Sequence, residues 1–555
     1  MRRLTLLLAL VLSVELSARQ PVHARHGMVV AQEPLAADVG VNVLKNGGNA
    51  IDAAIAVGFA LAVTHSSAGN IGGGGFMLVR LANGQTTFID FREKAPGHAA
   101  HDMYLDANGK LTRDSILGWR APGVPGTVRG FELAHQKFGK KSWAQDIEPA
   151  IELASHGFAL SYRQAEGFKN AKNLPQFAES KRIFQRDGKF YDVDEIFKQP
   201  ELAATLERIA KNGAKEFYEG ETAKQLAAAM AKNGGLITLD DLKSYQAVER
   251  KPLTGHYEGY DVITSPPPSS GGIGILQMMG MLEGSGYQKS GLDSAAEIHY
   301  VAEVMRRYYA DRNEYLGDPD FVKNPIAGLL DPNYITKRRS TIDPNRATPS
   351  DEVNPGNPKG AESAETTDFN VVDSEGNAVA VTYTLNGGYG SGVTAPGLGF
   401  LLNNEMDDFA SKPGEPNMFG LVQGEANSIQ AAKRPLSSMV PTILLKDGKL
   451  FMVVGAPGGS RIITGVMQVI LNVVDFQENA QDAIDQPRFH HQWKPDTLYL
   501  EAGISPDTVA LLKGMGYKIQ QGSNQGVADV QTIVVDKDWL TGGTDGRSSG
   551  KVAGY

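Results

Sequence analysis

The sequence contains no cysteine in its 555 residues. Disulfides, a thiol nucleophile and thiolate metal ligation are therefore all ruled out, and a chain this long must rest on its core. Clustered positive charge is also lacking. The net charge of −9 is spread without a basic block, which speaks against a nucleic-acid partner, because phosphate binding needs grouped Lys and Arg. No apolar run beyond the N-terminus approaches the roughly 20 residues that span a bilayer. There is no G-x-x-x-x-G-K-[ST] nucleotide loop, no G-x-G-x-x-G and no H-E-x-x-H. His490 and His491 are adjacent, so on a strand they point to opposite faces and do not share a metal. One G-x-S-x-G occurs, at Gly546–Gly550, but only Lys551–Tyr555 follow. A nucleophile elbow needs a helix, an acid and a histidine after it. No metal site, no cofactor and no tandem repeat is expected.

What is present points to an exported, well-packed protein. Hydrophobic residues make up 41% and aromatics 8%, enough for a large core. Arg2 and Arg3 precede an apolar run, Leu4–Leu12, and small residues follow. This reads as a secretory signal over residues 1–24, cut after Val22-His23-Ala24, with Leu16-Ser17-Ala18 as the second choice. A periplasmic or secreted location is expected.

Apolar spacings of three and four over Gln32–Val63 predict two helices, broken at Asn46-Gly47-Gly48-Asn49. Phe76–Leu81 and Thr86–Arg92 form a hairpin about Asn83-Gly84. Similar hairpins are expected at Thr367–Val372 with Ala378–Leu385, and at Thr442–Lys446 with Leu450–Val454. Val530–Val535 is a further strand, and Ile273–Leu282 and Ile462–Val474 are apolar helices. Hairpins flanked by apolar helices predict an α/β sandwich, with helix layers covering antiparallel sheets. Asp343–Ala364 carries four prolines and many charges. It reads as an exposed, mobile loop where the chain could be cut.

Glu365-Thr366-Thr367-Asp368 sits where that loop becomes a strand. A threonine hydroxyl is a poor nucleophile unless a base lies beside it, and the α-amine of an N-terminal threonine is such a base. Its use requires a break between Glu365 and Thr366, which Thr366 Oγ can make by attacking the Glu365 carbonyl.

The surrounding strings resemble the γ-glutamyltransferase (glutathione hydrolase) family of N-terminal-nucleophile hydrolases. They are Glu365–Phe369, Thr382–Asn386, Leu401–Phe409, Arg434–Thr442, Gly458–Ile462, Ala68–Phe76, Asp90–Glu93 and Gly123–Gly126, and the likeness runs from about residue 25 to Tyr555. The resemblance implies a four-layer αββα sandwich with two stacked, mainly antiparallel sheets. It implies a large subunit, 25–365, and a small catalytic subunit, 366–555, interleaved after self-cleavage. By the same resemblance, Thr366 is the nucleophile and Thr384 its hydrogen-bonding partner, and Gly458 and Gly459 supply oxyanion N–H groups. Arg92, with Ser437 and Ser438, takes the α-carboxylate of a γ-glutamyl donor, while Asn386, Glu405 and Asp408 take its α-ammonium. Asp407 is assigned to the turn, and Gly72–Gly75 to close packing under the site. The implied donor is glutathione or a related γ-glutamyl compound, and the acceptor is water, an amino acid or a dipeptide. In the loop Ser411–Gly420, Phe419 stands where many family members have a tyrosine, so a hydroxyl latch is lost. Two rivals are a glutaryl-type β-lactam acylase, which needs no ammonium pocket, and an uncut solute-binding protein.

Overall fold

The computed structural model describes residues 19–358, 368–522 and 526–555; Glu365 and Thr366 lie outside the described residues. In chain order the strands of its two large sheets are β1 (Val22–Ala24), β2 (Met28–Ala31), β3 (Gly74–Arg80), β4 (Thr86–Phe91), β5 (Val248–Arg250), β6 (Leu253–Tyr257) and β7 (Tyr260–Thr264). They continue as β8 (Phe369–Val372), β9 (Ala378–Thr384), β10 (Thr442–Lys446), β11 (Lys449–Gly455), β12 (Gln531–Asp536), β13 (Trp539–Thr544) and β14 (Lys551–Gly554). The helices that frame them are α1 (Pro34–Lys45), α2 (Ala50–Thr64), α3 (Thr127–Phe138), α4 (Gly271–Leu282), α5 (Ala295–Tyr315) and α6 (Arg461–Val474).

Alternation along the strands decides the layering, because neighbouring side chains leave a strand on opposite faces. On β3, Phe76 and Leu78 join Phe88, Ile263, Ile443, Val453 and Ile533 in a layer between the sheets. Met77 and Val79 turn the other way and meet Ile51, Ile55 and Phe59 of α2. In the second sheet, Leu444, Met452 and Val454 pack with Met278 of α4, Val301 of α5 and Val466 of α6. Each aliphatic side chain so buried contributes roughly 1.5–3 kcal/mol. Strands apolar on both faces and covered by helices on each outer side make an αββα sandwich, as expected. One sheet has the order β14-β2-β8-β9-β3-β4-β5, and the other β1-β13-β12-β11-β10-β7-β6. Pairings within both are antiparallel. Strands β8 and β9 sit in mid-sheet, between β2 and β3, which come from far earlier in the chain.

The helix break at Asn46–Asn49 is a capping box. Asn49 accepts from Ile51 N and Asp52 N at 3.0 Å each, and Asp52 Oδ2 accepts from Asn49 N at 2.8 Å. Such a cap is worth about 1 kcal/mol. The glycine run is close packing, as expected: a Cβ on Gly73 would lie 1.9 Å from Thr384 O, and one on Gly75 2.4 Å from Tyr383 Cα.

The proline-rich segment is mostly exposed in its described part, 343–358, as expected, but it is anchored at three points. Ala347, Ser350 and Val353 are buried. Trp493 Nε1 donates to Ser350 O at 2.8 Å and Val353 O at 2.9 Å, and Gly356 N donates to Asp311 Oδ1 at 2.8 Å. The composition predicts exposure because it offers little apolar area, and most of the segment is exposed. What it does not reveal is that polar side chains of the body hold the segment's backbone at these points.

The two histidines and the Gly546–Gly550 string have structural partners. His490 faces Thr464 Oγ1 and Gln492 Oε1 at 2.9 Å each, and His491 Nε2 faces Asp496 Oδ1 at 3.3 Å. Arg547 Nε donates to Glu501 Oε1 at 2.8 Å, which pins the loop before β14. No helix among the described residues is long and apolar enough to cross a membrane.

Candidate active site

Strand β4 ends at Phe91 and delivers Arg92 into the interior, where its side chain is fully buried. Tyr245 Oη donates to Arg92 O at 2.7 Å, and Arg92 N donates to Asp90 Oδ1 at 3.0 Å, fixing the backbone at this strand end. The guanidinium meets the 3₁₀ turn Glu405–Asp408. One arm bonds Glu405 and the other bonds Asp408 Oδ2 at 2.6 Å, a two-pronged arrangement that a lysine cannot copy. Its Nε and Nη2 also donate to Pro435 O at 3.3 Å and Leu436 O at 3.4 Å. Against the desolvation of a buried group, the carboxylates of Glu405, Asp408 and Glu93 hold the Arg92 pKa above its ordinary value.

Glu93 is a residue that sequence reasoning missed. It is fully buried, with Oε2 3.7 Å from Arg92 Nη1. Burial pushes its carboxyl up to about 7, against the pull of Arg92. One guanidinium therefore faces three carboxyl groups. The cluster carries surplus negative charge, and it suits an incoming ammonium.

The acid turn is set by Asn403. Its Oδ1 accepts from Gly123 N at 2.9 Å and Glu405 N at 3.0 Å, and its Nδ2 donates to Gly72 O and Gly123 O. This explains why three of the sequence strings come together at one point. Asp407, assigned to the turn, has a further use. It accepts from Met418 N and from Ser115 Oγ, both at 3.1 Å, and so holds the loop Ser411–Gly420. Burial pushes its carboxyl up to about 6.

Thr384 closes β9 at the sheet end where β8 begins. Its Oγ1 accepts from Asn386 N at 2.7 Å. Asn386 adopts a left-handed backbone, φ 73°, and its Nδ2 reaches Asn404 O at 3.0 Å and Met418 Sδ at 3.8 Å. At the start of β8, Asp368 is buried between Thr382 Oγ1 and Asn370 Nδ2, at 3.1 and 2.8 Å. Burial raises its pKa well above the carboxylate range. A Cβ on Gly455 would lie 2.0 Å from Asp368 Oδ1, so the start of β8 presses on the end of β11.

Beyond β11 the chain turns through Gly458 and Gly459, with φ of 142° and 58°, and enters α6. Both angles favour glycine. Neither N–H donates to another described residue, so both remain available to an anion at this helix start. The ring of Phe419 lies against Gly459, where a Cβ would come within 2.6 Å of Phe419 Cδ1. Through Phe419, Met418 and Asp407, the covering loop touches the glycine turn, Asn386 and the acid turn together. A cavity of about 200 Å³ adjoins the loop, lined in part by Ser115, Asp407, Lys412, Met418 and Gln423; Arg92, Thr384 and the glycine turn do not line it.

Ser437 and Ser438 are both fully buried, directly after the carbonyls that Arg92 contacts. Ser437 O accepts from Ser270 N and Oγ, at 3.2 and 2.8 Å. Ser437 Oγ has no hydrogen-bond partner among the described residues. Ser438 Oγ accepts from Arg312 Nη2 at 3.4 Å. Arg312 is a second buried guanidinium that sequence reasoning missed.

Three comparisons bear on this arrangement. The γ-glutamyltranspeptidase family model matches residues 36–555. The chain is 49% identical over 547 residues to the glutathione hydrolase proenzyme of Escherichia coli K12, covering 98% of this chain and 94% of that one. It is 51% identical over 510 residues to the glutathione hydrolase proenzyme of Pseudomonas sp. A14, covering 91% and 88%. Among solved structures, a cephalosporin acylase from Bacillus halodurans superposes with a TM-score of 0.87 at 28% identity, covering 97% of each chain.

Proposed function

Since the chain belongs to the γ-glutamyltranspeptidase family, we propose that it is a self-processing γ-glutamyltransferase and glutathione hydrolase whose nucleophile is Thr366. The observation that carries the reading is the convergence, under one covering loop, of an acid-rich cation cluster, Thr384 and a glycine turn with unused N–H groups.

The donor's γ-glutamyl head is a zwitterion. Its α-ammonium goes to Glu405, Asp408 and the Asn386 amide, and its α-carboxylate to Arg92 and the Ser437–Ser438 hydroxyls. The Thr366 α-amine takes the hydroxyl proton, and Oγ attacks the γ-carbonyl carbon. Gly458 and Gly459 N–H stabilise the negative oxygen that forms, a contribution typically of about 3 kcal/mol per donor. The C–N bond breaks, the peptide amine leaves with a proton, and a γ-glutamyl ester remains on Thr366. Water or the amine of an amino acid or dipeptide then takes the acyl group. Thr384 sits at the sheet end from which the chain leads back toward residue 366, a position that suits a hydrogen bond to the nucleophile.

Gly459→Ala tests the glycine turn. It is expected to lower kcat about 100-fold, because a Cβ at φ 58° strains the turn and drives Phe419 aside. A kcat within a factor of three of the parent's rules out the oxyanion assignment.

The acylase rival is separated by charge. A glutaryl anilide lacks only the α-amine, so its kcat/KM should fall about 100-fold below that of the γ-glutamyl anilide, the worth of one charge-assisted contact. Equal rates for the two donors favour the acylase.

The export signal ends after Ala18 in this reading. Val22–Ala24 pairs with β13 in the register Val22↔Gly542, His23↔Thr541 and Ala24↔Leu540. A cut after Ala24 would strip that edge strand. N-terminal sequencing of the mature large subunit should read Arg-Gln-Pro-Val, and a start at Arg25 counts against this boundary.

A further inference from the structure

Helix α5 buries three arginines, and two have acidic partners. Arg306 Nε pairs with Glu303 Oε1 at 3.1 Å, and Arg307 Nη1 with Glu303 Oε2 at 2.6 Å. Asp311, next along the helix, is taken by Arg338 at 2.9 Å. Arg312 differs. It is 1% exposed, and its hydrogen bonds run to neutral acceptors: Ser270 Oγ at 3.1 Å, Asn313 Oδ1 at 3.0 Å, Gln423 Oε1 at 3.3 Å and Ser438 Oγ at 3.4 Å. Among the described residues it forms no ion pair. A buried charge without a counter-charge is costly, and a protein keeps one where an anion arrives.

The surroundings identify that anion. Ser270 holds Ser437 through its backbone carbonyl, and Ser437 Oγ is buried without a partner. On the far side of this serine pair stands Arg92, already engaged by Glu405 and Asp408. Gln423 joins the two sides: its Oε1 accepts from Arg312, and its Nε2 donates to Asp408 O at 3.1 Å. Arg92 with its carboxylates is net negative. Its acids attract the ammonium, and Arg92, shared with them, offers a carboxylate only part of its charge. A zwitterionic head needs a positive pole at its other end.

We propose that Arg312 is a positioning residue for the donor's α-carboxylate, orienting the Ser437–Ser438 hydroxyls and supplying the positive charge that Arg92 shares with its acidic neighbours. This rests on the donor-site reading above. Arg312 does not touch the donor; it acts through Ser438, through Ser270 and through the field behind them.

The test compares two chromogenic donors, L-γ-glutamyl-4-nitroanilide and its neutral α-carboxamide, with Arg312→Gln and Arg312→Lys. In Arg312→Gln, kcat/KM for the carboxylate donor is expected to fall roughly 30-fold, mainly through KM, as for loss of one buried charge interaction. The carboxamide should change by less than about three-fold, because no charge opposes Arg312 there. Arg312→Lys keeps the charge and should recover most of the preference. Equal losses for both donors make Arg312 merely structural and overturn the proposal, as does no loss at all. If the glutamine variant does not accumulate as processed protein, the neutral Arg312→Met takes its place in the same comparison. A rise in KM confined to the carboxylate donor supports the proposal, and equal changes for both donors or none overturn it. Failure of the parent protein itself to prefer the carboxylate donor overturns the donor-site reading instead, and this inference with it.

Discussion

Purified Thr366→Ala protein is expected to run as a single uncut chain on a denaturing gel and to lose activity by at least about 10⁴-fold, the usual size of a nucleophile deletion. The parent should give two bands, the smaller one starting Thr-Thr-Asp-Phe. The two losses have one cause. The same Oγ is proposed to attack the Glu365 carbonyl during maturation and the donor amide during turnover, so removing it stops both. The fold should survive, because the next described residues are held independently of Thr366. Asp368 is bonded to Thr382 and Asn370, and Phe369 pairs with Val381. Its circular dichroism should therefore match that of the processed parent, and it should melt in one cooperative transition. A cleaved Thr366→Ala chain rules out self-cleavage by this residue; an uncut but fully active parent rules out the catalytic scheme, and an uncut, inactive parent revives the solute-binding alternative.

The second large effect concerns Arg92. Arg92→Lys should raise KM for a γ-glutamyl anilide about 100-fold while cleavage still proceeds. One ammonium cannot reach both Glu405 and Asp408 in the two-pronged way the guanidinium does. The acids then lose their spacing, and the donor's ammonium loses its cradle. Arg92→Met goes further. It leaves Glu405 and Asp408 buried without their cation, and removal of one partner from such a group costs about 3–5 kcal/mol. Thermal unfolding should show a large drop for the methionine variant and a smaller one for lysine. An unchanged KM in Arg92→Lys removes Arg92 from the donor site.

Much of this was legible in the amino-acid order, for identifiable reasons. The hairpins declare themselves because β3–β4, β8–β9 and β10–β11 are short apolar runs joined by tight turns rich in Gly, Asn and Asp, and the two-helix entry because Asn49 and Asp52 form a local cap. Residues of the site sit within strings of several specified positions, so their order speaks even where each alone is ambiguous. Three things were not legible. Helix α5 looks polar, with Arg306, Arg307 and Arg312 in its sequence, yet these side chains are buried. Periodicity reports amphipathicity, and it cannot see ion pairs and hydrogen bonds that carry charge inward. The pairing of Arg92 with Glu405 joins residues 313 positions apart, a distance at which spacing rules are silent. The anchoring of segment 343–358 was also hidden, because its prolines and charges describe its own side chains, while its anchor points depend on Trp493 and on Asp311 of α5.

The mid-sheet position of β8 and β9 has a consequence for the mature particle. After the proposed scission before Thr366 these strands would belong to one polypeptide and their partners β2 and β3 to another, so the pieces would be woven together rather than docked. They should co-elute through dilution and high salt, and part only when the sandwich itself melts. Recovery from denaturant then becomes a second-order encounter between two partners that were synthesised as one. Continuity of the chain before Thr366 is thus needed for folding and then given up, and damage to the finished enzyme is expected to be permanent where damage to its precursor is repairable.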